Sequence, residues 1–167
     1  MIERFQYYIE NSLVKKGSPD IEEATSLIKK SINRVIYILN QKIDDKSAEF
    51  VFEDVYEAMR EASQSLMELK GYKPYSHEAL ISFLSEFCDL PVSDISTLDR
   101  YRILRNKCVY RGAKTSSIVC KESIEFLQKF LPKIKALFEK ESGNKLWKFI
   151  LFKKESYSDN IWQQKLE

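Results

Sequence analysis

A chain of 167 residues, 44% of them hydrophobic and with only four glycines and four prolines, is one domain's worth and long enough for a real core, which excludes a disordered or collagen-like polymer. Its 27 basic and 25 acidic residues leave a net charge of +2, so nothing global demands a nucleic-acid partner and any basic patch must be local. A single histidine excludes a multi-histidine metal site within one subunit, and no metal site or cofactor is expected. No apolar run reaches the roughly 18 residues of a membrane span, and the first residues, with Glu3 and Arg4 beside Phe5, do not resemble a secretory signal. Cys88, Cys108 and Cys120 have no metal-ligand spacing and read as reduced core thiols of a cytoplasmic protein.

Taken in order, the spacing predicts a first helix from residue 3 to about 16 with Phe5, Tyr8, Ile9 and Leu13 on its apolar face. Gly17, Ser18 and Pro19 stop it and start another. Ser18 can cap, Pro19 suits the first helical position, and Asp20, Glu22 and Glu23 favour the positive end of the helix dipole. The second helix runs to about residue 41 with Ala24, Leu27, Ile28, Val35, Ile38 and Leu39 inward. A polar link leads to Ser47 as the cap of a third helix over 48–70. Its stripe of Ala48, Val51, Phe52, Val55, Ala58, Met59, Ala62, Leu66 and Leu69 is the clearest periodicity in the chain, and Ala58 and Ala62, one turn apart, predict close approach by a neighbouring helix. Gly71 ends it.

Residues 72–75 read as a turn. Ser76 caps a fourth helix through residue 88 that buries Leu80, Phe83, Leu84 and Phe87, with His77 in its first turn as a surface or capping residue. Pro91 to Asp94 punctuate the chain, and residues 98–112 form a fifth helix ended by Gly112. Ser116 opens a long helix to about residue 142, with Ile118, Val119, Ile124, Phe126, Leu127, Phe130, Leu131, Ile134, Leu137 and Phe138 along it and a bend expected at Pro132. Residues 146–154 are an apolar run flanked by lysines, suited to packing across the bundle, against a second subunit or on a membrane surface. Residues 154–167 read as a polar tail, poorly ordered unless a partner holds it. No strand alternation, hairpin signal, repeat, phosphate-binding glycine loop or catalytic triad is evident, so the chain reads as an all-α bundle of roughly six or seven helices.

The fifth helix is chemically odd. Leu98, Tyr101, Leu104, Cys108 and Val109 make its apolar stripe, yet at about 100° per residue Arg105 projects inside that stripe. A guanidinium keeps its proton and is costly to bury unpaired. It must meet a carboxylate, such as Glu57 or Glu61, a backbone carbonyl, a bound anion or a crevice holding water. Asn106 and Tyr110 flank the same face, with Arg102 one turn before Asn106.

The run from about residue 46 to residue 112 resembles a HEPN domain, the higher-eukaryote and prokaryote nucleotide-binding family. The matching features are Val55-Tyr56-Glu57-Ala58 with Ala62 on a long helix, Leu69-Lys70-Gly71-Tyr72 at its end, Ser76-His77-Glu78-Ala79-Leu80 at the next start, and Leu104-Arg105-Asn106 followed by an aromatic at 110. The resemblance implies a HEPN-like up-and-down helical bundle. Its core spans about 46–141 within a single domain of residues 1–153. In that family many members cleave RNA without metal, using an arginine and a polar residue with a histidine four to six positions on, and two subunits bring these motifs together. Arg105 and Asn106 match, and Tyr110 stands at the histidine position. Imidazole titrates near neutrality, whereas a phenol titrates near pH 10 and is a poor base at pH 7.

Three readings follow. In the first, the chain is a homodimeric, weakly active or non-catalytic HEPN protein whose Arg102, Arg105, Asn106 and Tyr110 bind RNA, a nucleotide or a partner. By family analogy that partner is a minimal nucleotidyltransferase in a toxin–antitoxin or defence system. In the second, it is an active metal-independent endoribonuclease with Arg105 and Tyr110 as catalytic residues. In the third, it is a helical scaffold without a ligand.

Overall fold

The computed structural model describes residues 2–143. Expectations for 146–154 and for the polar tail lie outside the described residues. Among the described residues there are six helices and one two-stranded sheet: α1 (Phe5–Glu10), β1 (Val14–Lys16), α2 (Ile21–Leu39), α3 (Ala48–Leu69), β2 (Tyr72–Pro74), α4 (His77–Phe87), α5 (Val92–Arg111) and α6 (Ser117–Ser142). The chain is thus mostly helical, and no helix among the described residues is long and apolar enough to cross a membrane.

The axis of the fold is α3. Its apolar stripe is buried from Ala48 through Leu66, and it packs along α2 on one side and α6 on the other. The Ser31 hydroxyl of α2 donates to the Ala58 carbonyl at 2.7 Å. That close approach is what the small residues at 58 and 62 allow. α2 runs antiparallel to α3: Asp20 bonds the backbone of Glu68, and Arg34 reaches both Glu61 and Asp54. α6 runs in the same sense as α3, since its first residue meets Asp45 and Glu141 near its end pairs with Lys70. α5 runs antiparallel to α6, tied by Asp94–Lys133 at one end and by Cys108–Thr115 at the other. α6 is continuous through Pro132.

Several expectations need correction. The first helix ends at Glu10 rather than near residue 16, because Ser12 adopts a left-handed φ of +58° and turns the chain into β1. β1 pairs antiparallel with β2, Val14 opposite Pro74 and Lys16 opposite Tyr72, so residues 72–74 are no mere turn and a small two-stranded sheet accompanies the helical bundle. The cap of α2 is Asp20, whose carboxylate accepts from the Glu23 amide at 2.9 Å, not Ser18. Ser47 occupies the cap position of α3 without capping it. Its hydroxyl donates to the Lys42 carbonyl, and the Asp44 carboxylate takes the Lys46 and Ser47 amides instead. The fifth helix begins at Val92, a turn and a half before residue 98. Phe87 and Val109, placed inward by spacing, are exposed at helix ends, as is Ile118 in the first turn of α6. Ser76 and Ser116 cap α4 and α6 as expected.

Candidate functional site

Two faces of α5 carry the chemistry. The inward face is fixed by Leu98 and Tyr101, both buried, with the Tyr101 ring edge-on to Phe52 of α3 and to Phe126 of α6, each at 5.7 Å between centroids. Gly112 takes the left-handed conformation, φ +62°, that lets the chain turn off the last turn of α5. The outward face forms an open groove of about 370 Å³ lined by Arg102, Ile103, Asn106, Lys107, Tyr110 and Arg111. Tyr110 is 75% exposed there.

Arg102, placed by the sequence on the flank, is largely buried. Its Nε donates to Asp99 one turn back at 2.7 Å, and its Nη1 pairs with Glu78 at the start of α4. That pairing clamps α4 to α5. Glu78 lies below the ordinary carboxylate range although burial pushes it up, because its own amide, Ser76 and the Arg102 charge stabilise the anion.

Arg105 turns away from the groove. Its Nη2 lies 3.3 Å from the Glu57 carboxylate of α3, and its guanidinium sits 6.0 Å from the centre of the Tyr56 ring, at the outer limit of a cation–π contact. The Arg105 Nε is buried without a hydrogen-bond partner. Glu57 is one of the two acids that the sequence offered as partners. The other, Glu61, is fully buried and held by Arg34 and Lys30 of α2 instead.

The same cluster contains the chain's one histidine. His77 Nδ1 lies 2.9 Å from the Tyr56 hydroxyl, and the two rings stack with centroids 5.7 Å apart. Burial, and then the positive charge of Arg60, pull the imidazole below its usual 6.5, so it is neutral at pH 7. Burial pushes the Tyr56 phenol above its usual 10, so that hydroxyl always carries a proton. His77 Nδ1 is the hydrogen-bond partner of that hydroxyl, and a buried hydroxyl proton without an acceptor is costly. Tyr56 therefore donates to Nδ1, and the neutral imidazole bears its own proton on Nε2. In that tautomer Nε2 is a hydrogen-bond donor and not a base.

The structure thus brings Arg102, Asn106 and Tyr110 to one groove and separates Arg105 from them, against Glu57 and Tyr56. Sequence reasoning missed the Tyr56–His77–Arg60 grouping, because those residues come from two helices whose contact only the fold supplies. The Ser76 cap was the one signal, since it fixes His77 as the first residue of α4. Among the described residues no group of three histidine, cysteine or acidic side chains could hold a metal ion. Compared with protein-family models, curated proteins and solved structures, the chain matches none of them.

Proposed function

We propose that this chain is a HEPN-type protein of the cytoplasm that binds single-stranded RNA or a nucleotide on the outward face of α5 and is weakly active or non-catalytic. It works as a homodimer and partners a minimal nucleotidyltransferase in a toxin–antitoxin or defence system. The observation that carries the binding reading is the groove itself. Lys107 and Arg111 are exposed beside Asn106, with Tyr110 and Ile103 as exposed apolar surface between them. Basic groups on a backbone track and an aromatic ring for stacking are what sequence-tolerant RNA binding needs, stacking being worth about 1–3 kcal/mol per base. Weak catalysis follows from Tyr110 at the histidine position and from the engagement of Arg105 with Glu57.

Fluorescence anisotropy with a short oligouridine tests it. Lys107→Ala with Arg111→Ala should weaken binding and flatten its salt dependence, while Tyr110→Phe should be mild and Tyr110→Ala harmful. Binding by wild type that none of these variants changes would overturn the reading. Cleavage is scored separately in EDTA. Little by wild type and some gain in Tyr110→His is expected, whereas robust cleavage lost in Arg105→Ala would make the chain a ribonuclease. Light scattering that finds only monomer at high micromolar concentration would remove the dimer.

A further inference from the structure

A second cleft, separate from the α5 groove, opens where β2 runs into α4. It holds about 110 Å³, and its lining includes Arg60, Gln64, Tyr75, Ser76, His77 and Leu80. Its polar groups divide into those already used and those left over. Ser76 Oγ is consumed by the Glu78 and Ala79 amides and by the Glu78 carboxylate. Gln64 accepts from Arg60 Nη1 at 2.7 Å and donates to Glu68. Arg60 gives Nε to Glu57 at 2.7 Å, which leaves its Nη2 without a bond. His77 accepts from Tyr56 at Nδ1, which leaves Nε2, the protonated nitrogen, without a bond.

Two donors, one fully charged, therefore remain on the walls of one small cleft. The acids nearby are engaged: Glu57 with Arg60 and Arg105, Glu78 with Arg102, and Glu68 with Gln64 and, at 3.9 Å, with Lys73. Tyr75 lines the cleft as well, 67% exposed, on a segment tied back by its amide to the Leu13 carbonyl. The volume equals that of about three or four waters. It admits a tetrahedral oxyanion but not a ring system as well, and the exposed Tyr75 ring is the flat surface beside it for such a group.

We propose that the cleft of Arg60 and His77 binds a terminal phosphate monoester, with Arg60 Nη2 and His77 Nε2 donating to its oxygens and the Tyr75 ring covering a flat group attached to it. Guanidinium is the preferred side chain for such an oxyanion, and a charge-assisted bond from it is about twice as strong as a neutral one. This site stands independently of the α5 reading, since no residue of the cleft lines that groove.

The single histidine makes the test clean. The imidazole nitrogens of the uniformly nitrogen-15-labelled full chain are followed by NMR at pH 7.5 during titration with inorganic phosphate, phenyl phosphate and adenosine monophosphate. A free spectrum with the proton on Nε2, and a saturating shift of that nitrogen with each ligand, is expected. Phenyl phosphate and adenosine monophosphate should bind roughly tenfold more tightly than phosphate because of the ring contact. Arg60→Met should weaken all three about tenfold or more, with Arg60→Lys retaining part of the affinity. Tyr75→Ala, at an exposed position, should erase only the advantage of the ring-bearing ligands. Should Arg60→Met fail to fold, Arg60→Lys and Tyr75→Ala decide the matter alone. No saturating shift up to about ten millimolar, affinity indifferent to Arg60, or a shift abolished by Lys107→Ala with Arg111→Ala on α5, would each overturn the assignment.

Discussion

Gly71→Ala probes the junction on which the candidate cleft hangs. Gly71 sits past the end of α3 with φ +75°, and a Cβ there would lie 2.3 Å from the Gly17 carbonyl oxygen and 3.0 Å from the Ser18 carbonyl carbon. Both are backbone atoms, so no side-chain rotation relieves them. An ordinary carbon–oxygen contact needs about 3.3 Å, so the strands must part by about 1 Å. That movement breaks the Gly17 amide bond to the Gly71 carbonyl, now 2.7 Å, and loosens the neighbouring Lys16–Tyr72 pair. Each lost backbone bond costs about 0.5–1.5 kcal/mol, and the left-handed conformation adds about 1 kcal/mol for a residue with a Cβ. The sum is about 2–4 kcal/mol. Gly112→Ala supplies the control, because Gly112 has φ +62° and nothing within 4 Å of the added methyl. It should cost only the conformational part, about 1 kcal/mol. Urea unfolding of both variants against wild type reads the difference. Equal losses would refute the contact argument and leave only backbone preference.

Other outcomes follow from the core and its ion pairs. Phe52→Ala or Leu66→Ala, both deeply buried on α3, should lower stability by about 2–5 kcal/mol; an unchanged denaturation midpoint for both would mean that α3 is not the core. Glu61→Gln should cost about 2 kcal/mol, less than the 3–5 of a fully buried pair, because Arg34 is 24% exposed and keeps Asp54. Burial pushes the Glu61 carboxyl up, yet the Arg34 and Lys30 bonds outweigh it and hold it below the ordinary 4.5. Its contribution is therefore present above about pH 4.5 and lost as pH falls through the lowered value, so the gap between wild type and Glu61→Gln should close in acid. A constant gap down to pH 3 in a pH-resolved urea series would contradict this. Arg105→Met should cost about 1 kcal/mol or less in thermal or urea unfolding, since its pair with Glu57 is long and both partners are partly exposed. A loss above 3 kcal/mol would make Arg105 a structural residue.

How much of this was readable in advance depends on the range of the interaction concerned. α3 declared itself because its nine stripe positions repeat a local period and Gly71 ends them. Ser76 and Ser116 were legible as caps because a cap bonds amides two or three residues on. The β1–β2 pair was invisible: each strand is three residues, too short for alternation, and the partners lie on opposite sides of α2 and α3 in sequence. Phe87 and Val109 fit a helical stripe and are exposed all the same, because a stripe says nothing about where the neighbouring helix stops. Arg105 could be placed at the core margin by angle alone, and both acids offered for it lie on α3. The choice of Glu57 over Glu61 needed the position of α2, whose Arg34 and Lys30 claim Glu61 first. The burial of Arg102 was hidden for the same reason, since Glu78 belongs to another helix.

The separation of Arg105 from Asn106 and Tyr110 has a geometric origin and a thermodynamic consequence. At about 100° per residue, positions 102, 103, 106, 107, 110 and 111 gather on one side of α5 and position 105 falls nearly opposite their centre, so Arg105 cannot share the groove while α5 is docked on α3. Asn106 and Tyr110 fall outward with Lys107 and Arg111, and Arg105 falls toward Glu57 and Tyr56. An anion reaching the margin of the groove competes with Glu57 for a guanidinium held at 3.3 Å whose Nε is unbonded. The ion pair is worth about 1 kcal/mol or less, whereas a charge-assisted bond to an oxyanion contributes about 1.5–3 kcal/mol. Phosphate can therefore draw Arg105 from its carboxylate at small cost, and Glu57, still bonded to Arg60 at 2.7 Å, is not stranded when it does. Removing that competition with Glu57→Gln should tighten oligouridine binding severalfold in a background that retains Arg105 and not in Arg105→Ala. Equal affinity of Glu57→Gln and wild type would mean that Arg105 never leaves α3, and that the groove works with Lys107, Arg111 and Tyr110 alone.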